Sequence, residues 1–140
     1  MPFTDILDRS LLVAAFGGVP YSPPETLYVA LSTTTPTQSS RSNWNFTEPF
    51  GGDYDRVPVT NNTTHWPANG SPSVGYEVAN GITVRFPIAT GDWGIVTYFG
   101  IWDAPTGGTL TAFGQLAAPQ SILSDAAPWF PPRSLVVVFS

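Results

Sequence analysis

Gly91-Asp92-Trp93-Gly94-Ile95-Val96-Thr97-Tyr98-Phe99-Gly100-Ile101-Trp102-Asp103 is the stretch whose reading decides the fold. From Ile95 to Trp102 almost every residue is apolar, β-branched or aromatic and none is charged, the composition of a strand covered on both faces. Ala104-Pro105-Thr106-Gly107-Gly108 then supplies a proline and two glycines able to take positive φ, and Thr109 to Leu116 runs back as a second apolar segment. Together they predict a central hairpin that the rest of the chain is built around.

Around that hairpin lie 140 residues, of which 15 are proline and 13 glycine, so the chain is cut into short pieces and long helices are disfavoured. Only 11% of residues are charged while 42% are hydrophobic, which separates the chain from disordered sequences and predicts one core-forming domain over residues 1–140. The net charge is −5, and the five arginines, Arg9, Arg41, Arg56, Arg85 and Arg133, are scattered. No basic stripe is available to neutralise phosphates, so no nucleic-acid partner is expected. Cysteine is absent, which removes disulfides and thiolate metal sites. The first ten residues lack the basic start and long apolar run of a signal peptide, and no apolar run reaches membrane-spanning length, so a soluble chain with no membrane partner is expected.

Upstream of the hairpin, Thr4 to Phe16 places Leu7, Leu11 and Ala14 or Ala15 on one helical face, with Asp5 and Asp8 early, Thr4 as the cap and Gly17-Gly18 as the stop. The apolar stripe is expected on the sheet, with an arm exchanged onto a neighbouring subunit as the alternative. Thr26 to Ser32 reads as the first strand and Tyr54 to Thr60 as an edge or bulged strand, because Pro58 has no N–H for a ladder. Ile82 to Pro87 alternates cleanly, with Ile82, Val84 and Phe86 facing in. Polar, turn-rich segments at about 33–53 and 61–80 read as long loops. Downstream, Gln120 to Leu123 reads as a short strand, Ser124 to Pro132 as irregular, and Ser134 to Phe139 as a strand that pairs inside a sheet. The sum is a mainly β chain, an antiparallel β-sandwich of jelly-roll type with one short N-terminal helix.

The chain offers little for catalysis. His65 is its one histidine and no nucleophile elbow accompanies it, so no enzyme is expected. Asp53 and Asp55, and Asp92 with Asp103, are placed for turn capping or for a hard cation; neither segment has the dense oxygen spacing calcium needs, and no metal or other cofactor is expected. Sequons at Asn45, Asn61 and Asn62 fall in the polar loops. What does stand out is large rings in loop or proline-bracketed segments: Trp44, Phe46, Phe50, Trp66, Trp129 and Phe130. Such rings either fold back on their own domain or meet a partner, and these six are the candidate partner interface.

Three stretches together resemble a family of small bacteriophage and prophage virion proteins commonly labelled phage tail fibre proteins: the opening helix with Pro23 to Ser32, the segment Gly51 to Thr60, and the block Phe86 to Gly114. The resemblance runs over nearly the whole chain in the same order. It implies a non-enzymatic component of the phage particle, made in the bacterial host cytoplasm, and carries no catalytic residue over. Because the chain lacks heptads and repeats, the leading expectation is a capsid cement or decoration protein on the head, a homo-oligomer (a trimer) bound to the major capsid protein. The alternatives are a tail fibre or tail-tip protein involved in host attachment, and a carbohydrate-binding module.

Overall fold

A computed structural model describes residues 3–40 and 43–139; Arg41, counted above among the scattered arginines, lies outside the described residues. The chain is mainly β with one helix, as its punctuation predicts. In order come α1 (Asp5–Gly17), β1 (Thr26–Ser32), β2 (Thr37–Ser40), β3 (Asn43–Asn45), β4 (Val57–Thr60), β5 (Ala68–Ser71), β6 (Gly75–Ala79), β7 (Val84–Arg85), β8 (Gly94–Trp102), β9 (Leu110–Ile122), β10 (Trp129–Phe130) and β11 (Val136–Phe139). All pairings between these strands are antiparallel.

β8 takes the interior of a four-stranded sheet ordered β4-β1-β8-β9, as its uncharged run demands. Its inner face, with that of its neighbours, contributes Val29, Leu31, Phe99, Ile101 and Ala112 to the core. A second layer, formed by the sheet β11-β6-β5 and the ribbon β10-β7, closes that core with Val137, Val84 and Phe130. The outer face is built from small residues where Ala30 pairs with Gly100. A Cβ at Gly100 would stand 2.6 Å from the Phe46 ring, so the missing side chain leaves the space in which that ring lies. Phe46 packs edge-on against Trp102 at 5.6 Å and Trp44 against Phe113 at 5.0 Å. The polar segment 33–53 therefore folds back over the sheet it leaves, with the β2-β3 ribbon inside it.

Several boundaries differ from expectation, each for a physical reason. The returning strand is one element: β9 continues through Ile122, and the register against β8 shifts between Val96 and Tyr98, opposite the segment that holds Pro119. The segment 61–80 holds the β5-β6 hairpin. Its Ala-Asn-Gly-Ser strand has poor intrinsic β propensity and forms because β6 is paired on its other edge by β11. Gly70, at φ 123°, lies against the Gly75 carbonyl, a closeness that no side chain permits. Tyr54 precedes β4, because Gly51, Gly52 and Asp53 all have positive φ and turn the chain first. Pro58 does sit on an edge strand, exposed, opposite Tyr28. The alternation at 82–87 survives in Val84 and Phe86 inside and Arg85 outside, though only two residues pair. Trp129 and Phe130, within the segment read as irregular, pair with them as β10.

The helix departs furthest. Gly18 closes it in the left-handed conformation, with the Val19 N–H returning to the Val13 carbonyl. Thr4 occupies the cap position, but its hydroxyl donates to the Thr111 carbonyl at 3.1 Å instead of capping. No residue of α1 is buried: Leu7 is half-buried close to β9, but Leu11 and Ala15 are exposed, so the apolar stripe meets the sheet only at its start. At thirteen residues it is too short to cross a membrane.

Candidate functional site

The six candidate interface rings go to different places. Phe130 is 3% exposed and packs edge-on against Phe86, and Trp66 is 8% exposed within the same core. Neither is available to a partner in this fold, which corrects their reading as loop contacts: both rings are taken up by the core. Trp44 and Phe46 are half-buried on the outer face of the main sheet. Phe50, fully exposed, and Trp129, 52% exposed, remain free to meet another surface.

Phe50 opens one, and Trp129 directly follows another, of three loop segments that are stitched together through their backbones. The Thr90 N–H donates to the Gly52 carbonyl at 3.0 Å, Ala89 N–H to the Ala126 carbonyl at 2.8 Å, and Asp125 N–H to the Ala89 carbonyl at 2.7 Å. The Trp93 indole N–H adds a bond to the Gly52 carbonyl at 2.8 Å, and Asp92 Oδ1 accepts from the Ser124 N–H at 2.9 Å. These bonds hold the loops 50–53, 87–92 and 123–128 as one rigid platform. Besides Phe50 and Trp129 the platform carries Ile88 and Leu123, 62% and 58% exposed. Sequence reading missed both aliphatic residues, and the only available signal was their position beside Pro87 and Ser124. Arg85 lies 5.5 Å from the Trp129 ring centre, giving the ring a cationic neighbour.

Close in sequence to Phe50 lies a polar knot centred on Glu48. Glu48 accepts from Arg56 through both carboxylate oxygens at 2.9 Å, and from the Tyr54 hydroxyl at 2.8 Å. The Tyr54 hydroxyl oxygen also accepts the Leu31 N–H at 3.0 Å. Burial, reinforced by the Glu48 charge, pushes the Tyr54 phenol well above the ordinary tyrosine range. A cleft of about 220 Å³ opens here, lined by Glu48, Pro49, Tyr54 to Arg56 and the 105–107 turn.

The acids weighed for a cation are turn caps where a partner is seen. Asp103 Oδ1 accepts the Thr109 N–H at 2.7 Å, Asp92 caps Ser124, and Asp55 Oδ1 accepts the N–H of Arg56 at 3.0 Å. Among the described residues no three His, Asp or Glu side chains gather where they could hold one ion. His65 pairs through Nδ1 with Asn62 Oδ1 at 2.8 Å in the loop before Trp66.

Two comparisons bear on this arrangement. The family model described as Gp80, podophage GP4 fiber I protein gp80, matches residues 2–138. No curated protein matches the chain.

Proposed function

Because the chain belongs to the podophage GP4 fiber I protein family, we propose that this structural component of the phage particle works in the tail fibre, in host attachment, without catalysis. The observation that carries the reading is the stitched platform: Phe50, Ile88 and Leu123 held exposed on loops that backbone hydrogen bonds join, with exposed Trp129 following directly in β10. Rigid aromatic groups give contact area at low entropic cost, the property an adhesive surface needs. The capsid-cement role expected from the absence of heptads and repeats gives way here, because the matching family is one of fibre proteins. A sandwich of this size suits a segment or tip of a fibre.

Separating heads from tails in purified particles tests the assignment. The protein should travel with tails at a few copies per particle; copy number equal to that of the capsid subunit, on isolated heads, would overturn it. Phe50→Ala combined with Trp129→Ala tests the platform. The double variant should enter particles normally and lower host adsorption about tenfold or more. Unchanged adsorption would remove the platform from the reading.

A further inference from the structure

The cleft between Glu48 and the 105–107 turn is lined mainly by hydrogen-bond acceptors. Glu48 and Asp55 bring carboxylates, Thr106 a hydroxyl, and Pro49 and Pro105 two apolar walls. Arg56 is the only cation lining it among the described residues. Four of the five N–H donors of that guanidinium are already taken, two by Glu48 and two by the carbonyls of Ala104 and Gly107. Its plane lies over Trp102 and its side chain is 6% exposed, so it has little left to give a ligand.

That lining selects its occupant. Two carboxylates against one guanidinium leave the cleft net negative, which opposes an anionic ligand. A lone ammonium finds Glu48 already neutralised, because Arg56 holds both of its oxygens. Among the described residues no three His, Asp or Glu side chains converge on one point, so the acids do not form a cation cage. What fits is an uncharged body with hydrogen-bond donors around its edge and apolar C–H faces for the two prolines, the chemistry of a sugar ring. At about 220 Å³ the cleft falls below the roughly 300 Å³ at which pockets begin to enclose drug-sized molecules, and it has room for a single sugar unit.

We infer that the Glu48–Asp55–Thr106 cleft binds one unit of an uncharged polysaccharide, and that Phe50, fully exposed and next in sequence to Pro49 of the wall, offers its ring to a neighbouring unit of the same polymer. The inference deepens the host-attachment reading and rests on it for its biological meaning. The cleft is assembled before any ligand arrives: Glu48 is fixed by Arg56 and by the Tyr54 hydroxyl, and Arg56 ties the 104–107 turn to the opposite wall. Binding therefore orders little that is not ordered already. One small polar cleft binds weakly, and several copies on one particle multiply the contact.

Amide NMR spectra of the whole chain test it, titrated separately with galactose, glucose, mannose, glucuronate, free lysine, and polysaccharide released from the host surface and freed of lipid. Shifts gathering on Asp55, Arg56, Thr106 and Gly107 are expected with at least one neutral hexose or with the polysaccharide, and none there with glucuronate. Asp55→Ala removes an exposed acceptor and should weaken that binding about fivefold, the worth of one hydrogen bond. Thr106→Lys puts a longer side chain at an exposed turn position and should weaken it at least as much, with the rest of the spectrum unchanged. No response to any sugar or to the polysaccharide, a response to lysine alone, an equal response to glucuronate, or undiminished binding in both variants overturns the inference. The cleft and the place in the particle fail separately. A protein found on tails whose cleft ignores every sugar sinks the inference alone, whereas a sugar-binding cleft on a protein found on heads upholds the cleft and sinks the tail assignment.

Discussion

The guanidinium carbon of Arg56 lies 4.1 Å from the centre of the Trp102 ring. One side chain thereby joins the approach to the edge strand β4 with the end of the central strand β8. It also reaches the hairpin turn, donating through Nη1 to the carbonyls of Ala104 at 2.8 Å and Gly107 at 2.9 Å. With Glu48 held on its other side, Arg56 uses every face of its planar fork.

Removing that fork should be costly. The Arg56 side chain is 6% exposed and that of Glu48 25%, so Arg56→Ala leaves a largely buried carboxylate without its partner. A loss of about 3 kcal/mol in unfolding free energy is expected from denaturant titration. Arg56→Lys should lose most of the same amount, because an ammonium cannot serve Glu48 bidentately while stacking on Trp102. A lysine variant as stable as wild type would show that charge alone matters.

Tyr54 sets a pH limit. Its folded-state pKa is raised above the unfolded value, so the neutral phenol is the form the fold prefers. The corresponding stability is fully present below the unfolded value of about 10 and declines as pH climbs past it, by up to about 1.4 kcal/mol per pH unit. Denaturation midpoints should therefore fall above about pH 10. Tyr54→Phe should start lower by about 1–3 kcal/mol, since the Leu31 N–H loses its acceptor. It should then show a shallower alkaline decline; an equal slope would locate the alkaline sensitivity elsewhere.

Asn80 is fully buried and bonded on both sides of its amide. Nδ2 donates to the carbonyls of Ile82 at 2.8 Å and Pro131 at 2.9 Å, and Oδ1 accepts the Leu135 N–H at 2.9 Å. Asn80→Ala strands those three backbone groups and should cost about 3 kcal/mol. Asn80→Asp should be at least as damaging, because a carboxylate there faces two carbonyls with no donor to give them. Thermal unfolding of both variants checks the order.

Gly114 lies under two neighbours that cannot yield. A Cβ on it would meet the Phe99 ring at 2.6 Å and the Val136 carbonyl oxygen at 2.7 Å. Gly114→Ala should cost about 1–3 kcal/mol by overpacking. Gly91→Ala, whose new Cβ would find its nearest neighbour at 3.6 Å, serves as the control and should change stability by no more than about 0.5 kcal/mol. Equal effects at the two positions would refute the steric account.

The elements most legible in the chain were those whose environment is encoded by local pattern. The uncharged run from Ile95 to Trp102 named the central strand, Pro58 named an edge, and Val84, Arg85 and Phe86 kept their alternation. The β5-β6 hairpin was not legible, because Ala68 to Ser71 pairs for reasons that lie in β11, nearly seventy residues away in the sequence. The site was legible only as a set of rings. Nothing local distinguishes Phe50, which ends in solvent, from Trp66, which ends in the core, and Ile88 and Leu123 gave no aromatic signal at all.

By itself, then, the sequence determined the class: frequent prolines and glycines forbid long helices, and an uncharged strand must be covered on both faces. Tertiary structure alone decided which rings cover it, that Arg56 would stack on Trp102, and that the later turns of α1 would stay exposed. Those outcomes depend on space left by distant residues, Gly100 beneath Phe46 above all. Such space is a property of the assembled fold, written in no single stretch of the chain.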